Sequence, residues 1–362
     1  MNRLYSFLLL LALCCGCSKP DGGQGITPPV AAPEEDKPGV TDTDSAPAPE
    51  GYIIVGYATY WDTAMPDPTL MTHLNYAFAH IKNDFETLDI KGKSGRFKKI
   101  LALKEKNPDL KIMLSIGGWG AGNFSEMAAD ETHRKNFCRN CVKAVEDYGL
   151  AGIDLDWEYP TSSSAGISSS PDDTKNFNLL LKDLREALGN DRLLTMASSS
   201  SAKYVDFKTA IKYLNFVNLM TYDMGKPPQH NAGLYKSSMT KRSCDESVTL
   251  HRQAGVPTGK IVLGMPFYGY GNGKEFSKET VDFNEIKMEG YTRMWDNTAK
   301  VPYLTNASGD MILSYDDEES IGLKADYIKS KGLLGAMYWN IEADDRQWTL
   351  SKAVASRLLE TK

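Results

Sequence analysis

Histidine and cysteine are scarce in this chain of 362 residues, which has five of the first and six of the second. No HExxH sequence is present, and no two histidines have the spacing of a metal site. The glycine-rich stretch 269–274 lacks the flanking residues of a phosphate-binding loop. The sequence therefore predicts neither a bound metal nor a cofactor.

An excess of positive charge is also missing. Forty-one lysines and arginines stand against 47 aspartates and glutamates, which gives a net charge of −6. Phosphate contacts usually require a basic surface, so a nucleic-acid partner is not expected. The composition is 41% hydrophobic and 24% charged, which is typical of a globular protein and not of a disordered one.

A hydrophobic run long enough to span a membrane is absent, because the apolar stretch Leu4–Cys15 is shorter than the ~20 residues that a helix needs. It fits the apolar core of a signal peptide, which covers residues 1–17. Gly16-Cys17 resembles a bacterial lipobox, so Cys17 is the expected site of lipid attachment. The alternative is an ordinary secretory signal in which the cysteines occur by chance.

Residues 18–50 contain seven prolines and no aromatic residue, so this segment cannot bury enough apolar surface to fold. We interpret it as a disordered, proline-rich tether. Signal, lipid site and tether together predict an exported protein that is anchored to a bacterial membrane by its lipid alone. The anchor would lie at the cell surface or on the periplasmic face of the outer membrane.

Cys138 and Cys141 form a CxxC sequence inside a helical pattern, 131–148. A zinc site would need more ligands nearby, and a thioredoxin-like motif would directly follow a strand. We therefore expect two small apolar residues on one helix face.

Residues 51–362 alternate between apolar, β-rich segments and helical patterns. The predicted strands are 52–58, 73–79, 111–116, 150–155, 193–198, 215–222, 261–267 and 333–339, and the predicted helices are 97–106, 131–148, 172–188, 202–214 and 319–331. Near-continuous apolar strands are typical of parallel sheets with both faces buried. Eight strand–helix units predict a (β/α)8 TIM barrel, with a small inserted subdomain at about 269–313, between strands seven and eight. A doubly wound open sheet is the alternative, which the strand count and the missing phosphate loop disfavour.

Three carboxylates stand at alternate positions at the end of the fourth predicted strand and directly beyond it. Asp154, Asp156 and Glu158 share one face, because successive side chains of a strand point to opposite sides. Like charges this close in a poorly hydrated cavity cannot all ionise, so at least one proton should be retained near neutral pH. A carboxyl group that keeps its proton can act as a general acid.

This segment, Gly152–Pro160, resembles the strand-four motif of glycoside hydrolase family 18, the chitinases and their relatives. The resemblance extends over nearly the whole barrel. Further matching motifs are Asn75–Phe78, Ser115–Trp119, Met220–Asp223, Gly264–Gly269 and Gly335–Trp339. Two positions depart from the family pattern, since Ala151 stands where many members carry aspartate and Tyr270 stands where many carry arginine.

The resemblance implies retaining hydrolysis of β-1,4-linked N-acetylglucosamine, in which the substrate's own acetamido group is the nucleophile. Glu158 would be the acid and then the base, and Asp156 would hold the acetamido N–H. Asp154 would tune Asp156 through a shared proton, Tyr222 would donate to the acetamido carbonyl, and Asp223 would bind the same sugar. The walls of the pocket would be formed by Tyr57, Phe78, Trp119, Met220 and Trp339.

Three functions remain open at this point. The first is a hydrolase of chitin or chitooligosaccharides, and the second is an endo-β-N-acetylglucosaminidase that acts on N-glycans. The third is a catalytically silent glycan-binding protein of the cell surface. Silent relatives lack the acid, so the presence of Glu158 favours an enzyme.

Overall fold

The computed structural model describes residues 46–359. The predicted signal peptide, Cys17 and most of the proline-rich segment lie outside these residues. The described residues form fourteen strands: β1 (Ile53–Thr59), β2 (His73–Ile81), β3 (Leu88–Ile90), β4 (Lys111–Gly117), β5 (Gly152–Asp156), β6 (Leu193–Ser199), β7 (Phe216–Met220), β8 (Ile261–Pro266), β9 (Tyr268–Gly271), β10 (Thr280–Asp282), β11 (Thr292–Asp296), β12 (Val301–Thr305), β13 (Met311–Ser314) and β14 (Gly335–Trp339).

Eight of these strands close into a parallel barrel, in the order β1-β14-β8-β7-β6-β5-β4-β2, and β2 returns to β1. The prediction of a (β/α)8 barrel is thereby confirmed, and all eight barrel strands lie where the sequence indicated. The short β3 adds to β2 in an antiparallel sense. At the end of β4, Gly117 has a φ of +125° and its Cβ position lies 2.0 Å from the carbonyl oxygen of Asp156, so only glycine fits there.

The α-helices are α1 (Lys98–Leu101), α2 (Phe124–Ala129), α3 (Glu131–Tyr148), α4 (Asp173–Leu188), α5 (Phe207–Ala210), α6 (Cys244–Ala254), α7 (Glu318–Lys331) and α8 (Thr349–Leu358). The predictions for α3, α4 and α7 are confirmed to within a residue. The expected helix 202–214 is wrong, because only the single turn α5 forms there. The expected helix 97–106 is divided among a π turn, α1 and a 3₁₀ turn. Sequence patterns missed α2, α6 and α8.

The core lies in two places, inside the barrel and between the barrel and its helices. Ile153, Leu155 and Trp157 point outward from β5 into the second of these layers. The indole of Trp157 stacks on Phe124 of α2, with ring centroids 5.2 Å apart, and meets the edge of Phe177 of α4 at 5.6 Å. This outward packing fixes the alternation of β5, so that the intervening side chains must point into the barrel.

Cys138 and Cys141 are both buried on α3 and both have free thiols. Burial raises the pKa of each thiol, to about 12 for Cys138. Within the described part of the chain, no group of three or more histidine, cysteine, aspartate or glutamate side chains has the arrangement of a metal site. These cysteines are therefore core residues.

A second, antiparallel sheet of five strands, in the order β10-β9-β13-β12-β11, lies between β8 and α7. It occupies the interval in which the sequence suggested an inserted subdomain. Its own small core contains Val281, Leu304, Ile312, Leu313 and Tyr315. Because β9 begins two residues after β8 ends, the sheet rises directly from the carboxyl end of the barrel.

The last residues of the proline-rich segment pack on the amino-terminal end of the barrel. The buried Lys260 ammonium donates to the carbonyl of Ala46 at 2.5 Å, and the Asn215 amide donates to that of Pro47 at 2.7 Å. Residues 46–50 are therefore joined to the barrel, although the whole of 18–50 was expected to be a tether. None of the helices within residues 46–359 is long and apolar enough to cross a membrane.

Candidate active site

A cavity of about 300 Å³ opens at the carboxyl end of the barrel strands, which is the end at which barrel enzymes carry their chemistry. Most of the predicted site residues line it. The lining comprises Tyr57, Tyr60, Trp61, Phe78, His80, Gly117, Gly118, Trp119, Asp156, Glu158, Ala197, Met220, Tyr222, Asp223, Tyr268 and Trp339. Residues from, or just beyond, the ends of all eight barrel strands thus converge on one space.

Asp154 is fully buried beneath this cavity and accepts four hydrogen bonds. Its Oδ2 accepts from the hydroxyls of Tyr57 and Ser115, each at 2.8 Å. Its Oδ1 accepts from Thr195 at 2.6 Å and from the amide of Asn218 at 3.3 Å. Burial raises the pKa of Asp154, and these donors oppose that rise. The four donors favour the ionised form of the group and so act against the effect of burial.

Asp156 lies one step further along the same face and is 5% exposed. Burial raises its pKa well above the usual range, and the nearby charges of Glu158 and Asp154 raise it further. Its Oδ1 is buried without a hydrogen-bond partner in the described structure. No hydrogen bond between Asp154 and Asp156 is present among the described residues, so the proton that the sequence suggested they share is not visible as a direct contact. Asp156 thus presents an unpaired acceptor to an incoming donor.

Glu158 lies two residues beyond the last residue of β5 and completes the row of three carboxyl groups. Burial raises its pKa to about 7, the hydrogen bond from Tyr159 opposes this, and the charge of Asp223 adds to the rise. A carboxyl group with this pKa is partly protonated at neutral pH. It can therefore give up a proton and take one back under the same conditions, as a general acid and base must.

Tyr222 and Asp223 lie just beyond the end of β7, and both line the cavity. The nearest polar partner of the Tyr222 hydroxyl is a weak acceptor, the Met337 sulfur at 3.8 Å, so this hydroxyl can donate to a ligand. Asp223 has a φ of +57°, an uncommon left-handed conformation, and its N–H donates to Asn231 Oδ1 at 2.7 Å. The hydroxyls of Tyr268 and Tyr270 both donate to its carboxylate.

Aromatic rings form the floor of the cavity. Trp339, at the end of β14, stacks on Phe78 with ring centroids 5.6 Å apart and planes 19° apart, and it lies 5.7 Å from Tyr57. Trp61 lies 6.2 Å from Trp339 on one side. Aromatic faces suit the apolar C–H faces of sugars, and the carboxylates above this floor supply the polar contacts.

Trp119 and Met220 line the same cavity from other strand ends. The Trp119 indole is 63% exposed, and its only described ring contact is the edge of Tyr159 at 6.4 Å. An indole that packs so little is available to a ligand, in keeping with the predicted wall. All ten predicted catalytic and pocket residues are thus gathered at or directly beneath one cavity.

Several residues of the site were not found from the sequence. Ser115, Thr195 and Asn218 reach Asp154 from β4, β6 and β7, and the strand register explains how. Ser115 and Thr195 are the direct cross-strand partners of Asp154 on either side. Their signal was faint, since each is a single polar residue in an apolar strand. Tyr268 lies inside the motif Gly264–Gly269, but its hydrogen bond to Asp223 is not visible in that motif.

A larger cavity, of about 520 Å³, lies at the opposite end of the barrel. Glu50, His73, Lys111 and Arg192 are among its lining residues, and none of the clustered carboxylates of β5 reaches it. Chemistry is expected at the carboxyl end of the strands, so the smaller cavity is the candidate active site.

Comparison with known proteins agrees with this geometry. Residues 53–344 match the family described as glycosyl hydrolases family 18. The chain belongs to this family. The match begins at β1 and ends just beyond β14, so it covers the whole barrel together with the inserted sheet.

The relatives of this family 18 glycoside hydrolase include chitinases from bacteria and animals. Chitinase A1 of Niallia circulans is 34% identical over 413 residues, which covers 86% of this chain and 59% of that protein. Chitotriosidase-1 of Mus musculus is 32% identical over 327 residues, which covers 77% of this chain and 68% of that protein. The chain therefore spans little more than half the length of Chitinase A1.

A family 18 N-acetylglucosaminidase from Paenibacillus barengoltzii has a similar structure. It is 37% identical, with a TM-score of 0.76, and the alignment covers 85% of this chain and all of that chain. The barrel and its insertion are thus shared with a solved member of the family.

Proposed function

We propose that this protein hydrolyses β-1,4-linked N-acetylglucosamine chains with retention, using the substrate's acetamido group as the nucleophile. The proposal rests on the row of Asp154 and Asp156 on β5 and Glu158 just beyond it, because Asp156 and Glu158 line one cavity together with Tyr222 and Trp339. Retaining enzymes with a carboxylate nucleophile use a second carboxylate close to the acid. Here the buried, unpaired Oδ1 of Asp156 supports a different role for the second carboxylate, as the acceptor of the acetamido N–H.

In the first step, Glu158 gives its proton to the glycosidic oxygen as the C1–O bond breaks. The acetamido carbonyl oxygen attacks C1, which forms a cyclic oxazolinium ion and releases the shortened chain. Asp156 accepts the acetamido N–H and stabilises the positive charge that develops on the ring. The Tyr222 hydroxyl donates to the acetamido oxygen and holds it in line.

In the second step, water enters from the side that the leaving chain has vacated. Glu158, now ionised, takes a proton from the water as its oxygen bonds to C1. The oxazolinium ring opens and the acetamido group is restored. Two inversions at C1 leave the β configuration unchanged. Glu158 is protonated again by a proton from the water, while the proton it first gave remains on the released chain.

Two activities on N-acetylglucosamine chains are supported by different observations. Chitin and its oligomers are favoured by the names of the relatives, which are chitinases. Release of single N-acetylglucosamine units is favoured by likeness to the Paenibacillus barengoltzii N-acetylglucosaminidase, whose whole chain is covered. Both activities use the same catalytic groups and differ in how much of the polymer is bound.

Product analysis tests this proposal directly. Purified protein would be incubated with N-acetylglucosamine oligomers of two to six units and, in parallel, with a high-mannose glycopeptide, and the products would be identified by mass spectrometry. Disaccharide products would indicate a chitinase, monosaccharide products an N-acetylglucosaminidase, and cleavage of the glycopeptide alone an N-glycan hydrolase. Tight binding without any product would contradict an enzymatic role.

The pH profile gives a second test. Glu158 must be protonated to act as the acid, and burial raises its pKa to about 7. We expect kcat/KM on a chitooligosaccharide to fall as pH rises through about 7, by about tenfold per pH unit on the alkaline limb. Initial rates between pH 4 and 10 would measure this. A rate that stays level to pH 9 would contradict the assignment of the acid.

We also propose that the protein is exported and held to a bacterial membrane by a lipid on Cys17. Gly16-Cys17 after an apolar run supports this, as does the proline-rich composition of the segment that follows. Metabolic labelling with an alkyne fatty acid should label the native protein, whereas Cys17→Ala should abolish the label. Equal labelling of both proteins, or of neither, would contradict the anchor.

A further inference from the structure

A buried ion pair joins two loops at one side of the cavity. Arg96, in the π turn Lys93–Phe97, donates to Glu342 Oε1 at 2.5 Å, and Glu342 belongs to the 3₁₀ turn Ile341–Ala343 that follows β14. The two residues are 7% and 6% exposed. Neither belongs to the cavity lining, so the proposed reaction does not use them.

Both members of the pair also hold the end of β1. Glu342 accepts the backbone N–H of Thr59 at 3.0 Å, and Arg96 donates to the Thr59 carbonyl at 3.3 Å. The other arm of the guanidinium reaches the Met65 sulfur at 3.0 Å. The pair therefore secures both ends of the loop 60–65, which leaves the barrel directly after Thr59.

This loop carries Trp61. Trp339 is the last residue of β14, three residues before Glu342. Trp61 is 57% exposed, and its ring lies 6.2 Å from that of Trp339 and 4.9 Å from that of Tyr60. The loop is also tied to the barrel by the hydrogen bond from Tyr60 N–H to the Ala77 carbonyl at 2.7 Å and by the packing of Tyr60 on the core. A largely exposed indole with so few contacts depends on its backbone for its position.

A buried ion pair adds little net stability, because desolvation of both groups offsets their attraction. What the Arg96 fork does supply is direction, since its N–H groups point along fixed lines to Glu342, Thr59 and Met65. A lysine at this position would keep the charge but could not reach all three partners.

We propose that the Arg96–Glu342 pair is a positioning device that fixes Trp61 beside Trp339. It thereby sets how much affinity is added by sugar units beyond the one that is bound over Trp339. The inference rests on the proposed function. Arg96 and Glu342 are positioning residues, because they act through Trp61 and touch no substrate. Their loss should therefore matter for long substrates and not for short ones.

The test compares substrates of different length. For Arg96→Lys and Glu342→Gln, kcat/KM on a pentamer of N-acetylglucosamine, relative to that on an aryl glycoside of the disaccharide, should fall about tenfold through a higher KM. Arg134→Lys is the matched control. Arg134 is also 7% exposed, and it pairs with Asp183 at 3.0 Å. This pair joins α3 to α4, and neither residue lines the cavity. The ratio of Arg134→Lys should not change. The proposal would be overturned if the ratio were unchanged in both Arg96→Lys and Glu342→Gln, or if kcat/KM fell equally on both substrates.

Binding measurements separate this inference from the proposed function. In the Glu158→Gln background, calorimetry should show affinity that increases with oligomer length, and adding Arg96→Lys should remove most of that increase. A doubly substituted protein that keeps the full increase would overturn the positioning role alone. A Glu158→Gln protein that binds no oligomer at all would overturn the proposed function and this inference with it.

Discussion

Replacing Glu158 with glutamine should abolish turnover while saccharide binding remains. Glutamine keeps the size and shape of the side chain, but it has no proton to give to the glycosidic oxygen. General acid catalysis contributes about 10²–10⁴ in rate, so kcat should fall by about 10³ or more. Hydrolysis of a chitooligosaccharide would be followed by mass spectrometry, and binding of the same ligand by calorimetry. Full activity in a cleanly purified variant would refute the assignment.

Glu158→Gln should also change the stability of the protein, and a melting measurement shows at the same time that the variant is folded. The pKa of Glu158 is raised by burial to about 7, so its ionisation at higher pH works against the folded state. Its stabilising contribution is present below the unfolded pKa and is lost as pH rises through about 7. Glu158→Gln does not titrate, and we expect it to melt higher than the native protein at pH 8 but not at pH 4. Glu126→Gln on α2, outside the cavity lining, should show neither the loss of turnover nor this difference.

The row of carboxylates was predictable from the sequence because strand geometry is local. Asp154, Asp156 and Glu158 alternate with apolar residues, and alternation alone assigns them to one face. Trp157, which lies between Asp156 and Glu158, points outward and packs on α2 and α4, as the same alternation requires. The identity of the acid therefore followed from a stretch of nine residues, Gly152–Pro160.

The partners of these carboxylates were not predictable in the same way. Ser115, Thr195 and Asn218 are 39, 41 and 64 residues from Asp154 in sequence, and only the barrel register brings them together. Arg96 and Glu342 are 246 residues apart. No local pattern marks such pairs, because each partner stands alone among unrelated neighbours.

The helix predicted at 202–214 does not form, and the reason is again a contact between residues that are distant in sequence. Tyr204 stacks on Tyr159, with ring centroids 4.6 Å apart and planes 3° apart, next to the proposed acid. Residues before α5 are therefore held against the carboxyl end of β5, and this contact competes with the local helical pattern. Tertiary contacts near the active site thus outweighed a sequence preference that was sound by itself.

Replacing Asp156 with asparagine should lower kcat by about 10²–10³ and change KM little, because its interaction strengthens as positive charge develops. The Asp156 Oδ1 atom is buried without a partner in the described structure, so the free enzyme makes little use of it. Asparagine retains an acceptor for the acetamido N–H but loses the negative charge that stabilises the oxazolinium ion. Steady-state kinetics on a chitooligosaccharide would separate the two constants.

The pH profile of Asp156→Asn distinguishes this electrostatic role from a general loss of structure. The charges of Glu158 and Asp154 raise the pKa of Asp156, and two carboxyl groups that repel each other titrate in two steps that belong to the pair. Asp156→Asn leaves a single titrating group, so the upper step should be lost and the alkaline limb of the rate should move to lower pH. The matched control is Asp173→Asn, since Asp173 is fully buried on α4 and accepts hydrogen bonds from Ser125, Thr161 and Ser170. That variant should lose stability but keep the native pH profile. If both variants gave the same profile, or if Asp156→Asn kept the native kcat, the charge at 156 would have no part in the reaction.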